Sequence, residues 1–503
     1  MTSMTEENKA ATYLGQKGYS IYKENMSIED QLLLRDELVV RPYVPKAPVQ
    51  PEGFAIYRES PNKIYIPRFF GINAYGEPDE VRIPTGDPID ITFKGSLRDY
   101  QNNVVEIYKK SLGINGGGGL LEIPCGRGKT VIALNIISQL KVKTLVIVHK
   151  GFLLNQWVER IEQFLPQARV GKIQGKVIDI EDKDIVVGML QSLSMKEYPS
   201  DMFSSFGLTI VDECHHISSE VFSRSLQRIV TRCMLGLSAT MQRKDGLTRV
   251  FKMFIGEIIY KEKRETDDNV LVKTVNYVTS DSEFNETVYD YRGSPAYSTM
   301  ISKLCNYNHR SEFILKVIVG EMLEKPGQQL MILAQNKSLL IYLHEAIEHR
   351  NIATVGYYVG GMKDADLKTS ESKEIIIATY AMAAEALDIK TLTTLFLITP
   401  RTDVTQAVGR ILRVKHERPL VVDIVDAHDM FQRQYMKRKK FYMKNKYKIL
   451  STTSDNYHLG EWSVDYDPTQ SGGKQGRSEQ KNTIDDSFKP KPDIPKGKCL
   501  ISL

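Results

Sequence analysis

The sequence predicts an α/β protein of two tandem units, each with a parallel sheet, preceded by a small mixed α/β domain and followed by a disordered C-terminal tail. Three observations carry this reading. Short apolar runs such as "GLLEI", "TLVIVH" and "GLTIVDE" alternate with helical stretches from about residue 96 to 260, the pattern of strands buried on both faces between helices. A second alternating set, from "QQLMILAQN" to "PLVVDIVD", follows from about residue 311. Gly-Lys-Thr occurs in the first set and not in the second, so the units are expected to be alike in fold and different in chemistry.

Taken in order, residues 1–95 lack strong helical periodicity after the first forty. They carry the proline-rich "VVRPYVPKAPVQPEGF" and strand-like pieces such as "NKIYIPRFFGI", so they read as an accessory domain ending in the loop "RIPTGDPIDITFKGS". The first α/β unit occupies 96–260. Residues 261–310 are polar and irregular and read as a connector, and 311–430 form the second unit. A basic helix is expected over 431–450. Residues 451–503 are rich in Gly, Ser, Pro and charge towards their end, the composition of a flexible tail.

With 503 residues, 42% of them hydrophobic, the chain can fill the cores of two to four domains. No segment approaches the roughly 18 consecutive apolar residues of a membrane span, and the N-terminus is polar, so a soluble intracellular protein with no membrane partner is expected. The five cysteines form no CxxC pair, which speaks against a zinc site or a disulfide framework. The net charge is +5. Residues 433–448, "RQYMKRKKFYMKNKYK", interleave cations with aromatics, which suits either phosphate neutralisation with base stacking or a solvated basic helix.

The stretch "EIPCGRGKTVIALNII" is a strand, a glycine turn and a helix. Such a unit aims backbone N–H groups and the positive end of a helix dipole at one small volume, a ready phosphate site. Gly126 and Gly128 shape the turn, Lys129 can reach the β- and γ-phosphates, and Thr130 can ligate Mg²⁺. Ile123 stands where the full GxxxxGK[ST] pattern has its first glycine. Downstream, "LTIVDECHH" delivers Asp212 and Glu213 at the C-terminal end of an apolar strand, where ligands of parallel sheets bind. Asp212 suits Mg²⁺, and Glu213 suits the base that orients water towards the γ-phosphorus.

The tetrapeptide Asp-Glu-Cys-His resembles motif II of the superfamily 2 DExH helicases and translocases, and the family's other motifs can be matched in order from residue 97 to 413. "LRDYQ" resembles the adenine-reading segment, which implies base contacts by Gln101. "IPCGRGKT" resembles motif I, "LVIVHKGFLLNQW" motif Ia and "VVGMLQSL" the strand-tracking segment after it. "LSAT", with Ser238 and Thr240, resembles the coupling motif III. "IIIATYAMAAEALDI" resembles motif V, with Thr379, Glu385 and Asp388 in place and Ala386 where the family has glycine. "QAVGRILR" resembles motif VI, which implies that Gln406, Arg410 and Arg413 face the nucleotide. "MQRKDGL" resembles the RxDG signature of a narrower branch, which includes the TFIIH translocase subunit, a phage recombination helicase and the transcript-release DNA helicases of nucleocytoplasmic large DNA viruses. The segments at 57–72 and 421–449 look most like that last group.

The resemblance implies two RecA-like lobes, with ATP and Mg²⁺ as cofactors. The catalytic set is Lys129, Asp212, Glu213, Arg410 and Arg413, with Asp388 and Gln406 binding nucleotide and His215 coupling it to movement. Nucleic-acid contacts are expected from Lys150, Gln191, Arg243, Lys244 and Thr379, and a DNA-recognition role from the N-terminal domain. DNA is favoured over RNA, in viral transcription, repair or recombination; a viral protein would act with the transcription machinery, in the host cytoplasm or the virion. An RNA helicase and an ATP-gated subunit that remodels a partner without unwinding are the alternatives. His216 and Trp157 read as packing residues.

Overall fold

The computed structural model describes residues 11–43, 49–114, 116–124, 126–199, 201–217, 220–241, 247–262, 269–385, 389–412 and 416–469. Those up to 262 form one compact unit and those from 269 a second. No helix among the described residues is long and apolar enough to cross a membrane.

The first unit is organised by an eight-stranded sheet. Its strands at 144–148, 208–212, 233–238 and 118–122 lie side by side and all run parallel. Every residue of Thr144–Val148 is buried, because helices cover both faces of a parallel sheet. Helices Lys129–Leu140 and Gly151–Phe164 contribute Ile132, Ile136, Trp157 and Ile161 to one side of that core. The register brings the C-terminal ends of strands 118–122, 208–212 and 233–238 to one edge, and the phosphate loop follows directly from the first of them.

The N-terminal domain packs on the same unit. Its five-stranded sheet shares one hydrophobic core with the lobe, joining Tyr19, Ile21 and Ile64 to Phe251 and Ile255. Buried Arg68 fastens the two parts, donating to the carbonyls of Thr231 (2.8 Å), Arg232 (3.1 Å) and Gly116. Gly118 is required there, since a Cβ would stand 2.2 Å from the Phe69 ring. The segment expected to be a loop closing the domain near residue 95 instead runs along the lobe. Lys143 N–H donates to Asp87 O (2.8 Å), Lys94 N–H donates to Phe164 O (2.7 Å), and Ile89 and Ile91 enter the lobe's core. Its prolines hid an extended strap that is anchored from outside by the lobe's backbone.

The second unit also holds an eight-stranded sheet, parallel except at its last strand. It departs from the sequence reading at both ends. Leu271–Tyr277, within the expected connector, is an interior strand between Leu420–Asp426 and Lys448–Thr453. Lys273 concealed it: this buried lysine reads as a surface residue, yet Glu321 (2.8 Å) and Glu324 (2.5 Å) from the helix Asn308–Glu324 neutralise it. Residues 451–469, expected to be tail, complete Lys448–Thr453 and add Ser463–Tyr466 to the sheet edge. The remainder of that tail, 470–503, lies outside the described residues.

The basic segment forms the helix Asp429–Lys444, and its aromatics are core rather than stacking platforms. Tyr435 and Tyr442 are 6% and 0% exposed. Arg438 makes a two-pronged bond to the buried Asp423 (2.8 and 2.9 Å), which also accepts from the Tyr442 hydroxyl. A second buried pair, Arg310 with Asp426 (2.5 and 2.9 Å), also reaches the carbonyl of Ile398. Removing one partner of such a pair strands the other charge away from water, at a cost of about 3–5 kcal/mol. Asp426→Ala is therefore expected to lower the unfolding free energy of this unit by about that amount in urea titrations, whereas an exposed substitution such as Lys440→Ala should leave it unchanged.

Candidate nucleotide-hydrolysis site

The phosphate loop leaves strand Gly118–Glu122 and enters helix Lys129–Leu140 through Gly128, whose backbone is left-handed (φ 78°, ψ 37°). A side chain there would be strained by that φ and would also sit 2.5 Å from Gln101 Nε2. Gly126 shares the positive φ (80°). Gln101 itself is 5% exposed; its Nε2 donates to Arg127 O (3.2 Å) and its Oε1 accepts from Arg98 N–H (2.9 Å). The sequence reading overlooked Tyr100, whose hydroxyl donates to the same Arg127 carbonyl (2.6 Å) while its ring carries the Arg127 guanidinium at 4.2 Å. Arg127 is held in turn by Glu262. The loop is thus braced from the helix Asp99–Ile114 before any phosphate arrives.

Opposite the loop, strand Leu208–Asp212 ends in the acidic pair. Asp212 Oδ1 accepts the Glu213 N–H (3.0 Å) and its Oδ2 accepts the Trp157 indole N–H (2.9 Å). Burial, reinforced by the neighbouring Glu213 charge, pushes the Asp212 carboxyl up to about 6, against the opposing pull of Lys129 and the indole bond. Glu213 has a left-handed backbone (φ 47°), an uncommon state for a residue with a long side chain. That turn sends its carboxylate back to Lys129, with Oε1 3.4 Å from Nζ.

The other carboxylate oxygen faces the residues expected to couple nucleotide to movement. Glu213 Oε2 lies 3.4 Å from both Ser238 Oγ and His215 Nδ1, and those two atoms are 2.8 Å apart. Thr240 closes the group, accepting from the Ser238 hydroxyl at its carbonyl (2.8 Å) and donating its own N–H to Oγ (3.2 Å). A hydroxyl has one proton. Ser238 can give that proton to Thr240 O or to His215 Nδ1, each 2.8 Å away; where Thr240 takes it, the hydrogen between His215 and Ser238 belongs to Nδ1. Cys214, between the acids and the histidine, is fully buried against Met241 and only packs.

Trp157, read as a packing residue, is indeed 1% exposed, but its indole also orients Asp212. The two roles coexist because the ring lies in the core while N–H reaches the strand end, as buried tryptophans require. Lys150 and Gln191 fall in one neighbourhood: Lys150 immediately precedes the helix Gly151–Phe164 without a side-chain cap bond, and Gln191 Nε2 donates to the carbonyl of adjacent His149 (2.8 Å). Burial holds the Lys150 ammonium below the usual lysine range. In the second unit, Thr379 ends strand Ile375–Thr379 and Gln406 lies in the short helix Thr405–Val408. Arg410 was expected to project towards nucleotide; it is 5% exposed, and its Nε donates to Ala383 O (2.7 Å) within its own unit. Arg243, Lys244, Asp388 and Arg413 lie outside the described residues, as does the side chain of Glu385.

The Trp157–Asp212 bond yields a direct prediction. In a Trp462→Phe background, Trp157 emission of the nucleotide-free protein should titrate with a midpoint near 6 as the accepting carboxylate is protonated. Asp212→Asn should abolish that titration in the fluorescence profile.

Comparison with known proteins places this geometry. Residues 94–243, which hold the loop, the acidic pair and the coupling serine, match the family model described as "Type III restriction enzyme, res subunit". The protein L396 of Acanthamoeba polyphaga mimivirus, named as an ATP-dependent RNA helicase, is 36% identical over 468 residues, covering 90% of this chain and 88% of the relative. QP509L of African swine fever virus, also named as an ATP-dependent RNA helicase, is 27% identical over 71% of this chain and 75% of its own length. The DNA 3'-5' translocase XPB2 of Sulfurisphaera tokodaii is 34% identical over 175 residues, 35% of this chain and 38% of that one. A relative so similar over nearly its whole length, with the motif residues gathered at one sheet edge, shows that the chain belongs to the superfamily 2 DExH helicases, a family of ATP-hydrolysing enzymes with two RecA-like lobes.

Proposed function

We propose that the chain couples hydrolysis of Mg·ATP to movement along DNA, acting in transcript release, repair or recombination of a viral genome. The observation that carries this reading is the convergence of Lys129, Asp212, Glu213, His215 and Ser238 at one strand edge. DNA is favoured by the shared sequence with XPB2, named as a DNA translocase. The RNA reading stays open because the mimivirus and African swine fever virus relatives are named as RNA helicases.

In the resting arrangement Lys129 leans on Glu213. The triphosphate entering above Gly128 is a stronger anionic partner, so Lys129 transfers to the β- and γ-phosphates. Glu213 Oε1 is then released to accept a proton from the water attacking the γ-phosphorus. The donor set suits Mg²⁺: the Asp212 carboxylate and the Thr130 hydroxyl would hold it, leaving room for water and phosphate oxygen. When bound, Mg²⁺ neutralises charge on the β/γ oxygens. Gln101 reads the adenine once its amide exchanges the loop carbonyl for the base. From the second lobe, Arg413 supplies charge to the transferring phosphoryl group, a contribution of about 10³-fold or more. Gln406 and Asp388 contribute to nucleotide binding, and Arg410 braces motif VI on Ala383.

Glu213 Oε2, His215 and Ser238 sense loss of the γ-phosphate and pass it to Thr240 and the segment beyond. Lys150, Gln191, Thr379, Arg243 and Lys244 hold the nucleic-acid backbone rather than base edges, so sequence preference is low. The viral transcription machinery is the proposed partner, in the viral factory or the virion.

Steady-state ATP hydrolysis with duplex DNA, single-stranded DNA or single-stranded RNA tests the reading. DNA is expected to raise turnover by about tenfold or more and RNA to leave it near basal, since nucleic acid completes the closed state only for the cognate backbone. Stimulation by RNA alone would transfer the assignment to the RNA helicases. Indifference to all three would favour an ATP-gated remodelling subunit.

A further inference from the structure

The N-terminal sheet has two unlike faces. One carries Leu14, Tyr19, Ile21, Ile64 and Ile66, each at most 2% exposed, and supplies the core shared with the lobe. The opposite face is set by register: Arg58, Tyr65, Ser20 and Tyr13 stand in one row across adjacent strands, and Lys63 faces Tyr22 in the next. Aromatics and cations alternate on it. Lys63 Nζ lies 4.9 Å from the Tyr13 ring centroid and 4.5 Å from that of Tyr22, Lys17 Nζ lies 5.1 Å from that of Tyr65, and the Arg82 guanidinium lies 4.0 Å from that of Tyr13.

This face does not simply end in water. Tyr13 and Tyr65 form one side of a cleft of about 280 Å³, whose other side is Tyr198, Phe203 and the ion pair of Glu197 with Arg228, all from the ATP-binding lobe. Positive charge gathers at its rim. Half-buried Arg58 is held below its ordinary range by burial and by the nearby Arg228 and Arg224. The acids close by are engaged: Glu197 with Arg228, and Glu80 with Arg82. Aromatic rings at a cleft of this size with cations around them fit a planar base joined to a phosphate, since every base has a stacking face and each linkage a negative charge.

We propose that this sheet face and its cleft form a platform for single-stranded nucleic acid, with a base entering the cleft against Tyr13 and Tyr65 while Lys17 and Lys63 take the adjoining phosphates. This platform rests on the helicase reading above and adds to it a contact surface outside the motif residues. It binds the strand without reading sequence, and because Arg228 belongs to the lobe that holds Lys129, the platform and the hydrolysis site move as parts of one compact unit.

The experiment is fluorescence anisotropy of labelled oligothymidine on the full-length protein at several salt concentrations. Tyr13→Ala with Tyr65→Ala is expected to weaken binding by about tenfold or more with an unchanged salt slope, because stacking carries no counterion release. Tyr13→Phe with Tyr65→Phe keeps the rings and should retain affinity to within about twofold. Lys17→Gln with Lys63→Gln should instead flatten the slope. ATP hydrolysis without nucleic acid, unchanged in all three, reports an intact fold. Alanine variants that bind like wild type, phenylalanine variants as weak as the alanine ones, or an unaltered slope in the lysine variant would each overturn the platform. If DNA still stimulates hydrolysis in those cases, the helicase reading survives; a wild-type protein that binds no nucleic acid overturns both.

Discussion

Two adjacent carboxylates at the end of a buried strand are the constraint on which the rest of the active lobe depends. Asp212 and Glu213 repel one another in a site where burial already disfavours charge, and the lobe is arranged to hold them there. A tryptophan from the helix Gly151–Phe164 bonds to the first, the P-loop lysine pairs with the second, and a left-handed turn at Glu213 separates their directions. The Lys129 charge, and after it the indole bond, pull the Asp212 carboxyl down against burial and the neighbouring Glu213 charge.

The same geometry joins two sides of the site. Glu213 has one oxygen on the lysine and the other near Ser238 and His215, so one side chain touches both the loop and the Ser238 cluster. Ser238 ends a strand next to the acidic strand and bonds twice to Thr240, which begins the segment leaving the sheet. A shift of a few tenths of an ångström at Glu213 therefore has a short, hydrogen-bonded route to the backbone.

Much of this was legible from sequence because its signals are local. The P-loop needs glycines where φ is positive, and a strand that stops in Asp-Glu needs only its apolar run to be noticed. What was hidden depended on partners distant in the chain. Leu271–Tyr277 looked polar because Lys273 is matched by glutamates some fifty positions away, and the strap at 83–94 looked like a loop because its hydrogen bonds come from another segment. The aromatics of 431–450 suggested base stacking, yet Asp423 drew Arg438 and Tyr442 inwards. Trp157 was placed correctly in the core, but its bond to Asp212 could not be read without knowing which strand end the helix overlies.

We propose Glu213 as the base which Lys129 restrains until the triphosphate arrives. The most direct test of that role is Glu213→Gln, which keeps shape and hydrogen bonding but cannot take a proton. A folded protein is expected that binds ATP with near wild-type affinity by fluorescent-nucleotide titration and whose single-turnover hydrolysis falls by about 10²–10⁴-fold. Hydrolysis at the wild-type rate in that folded, ATP-binding variant would contradict it.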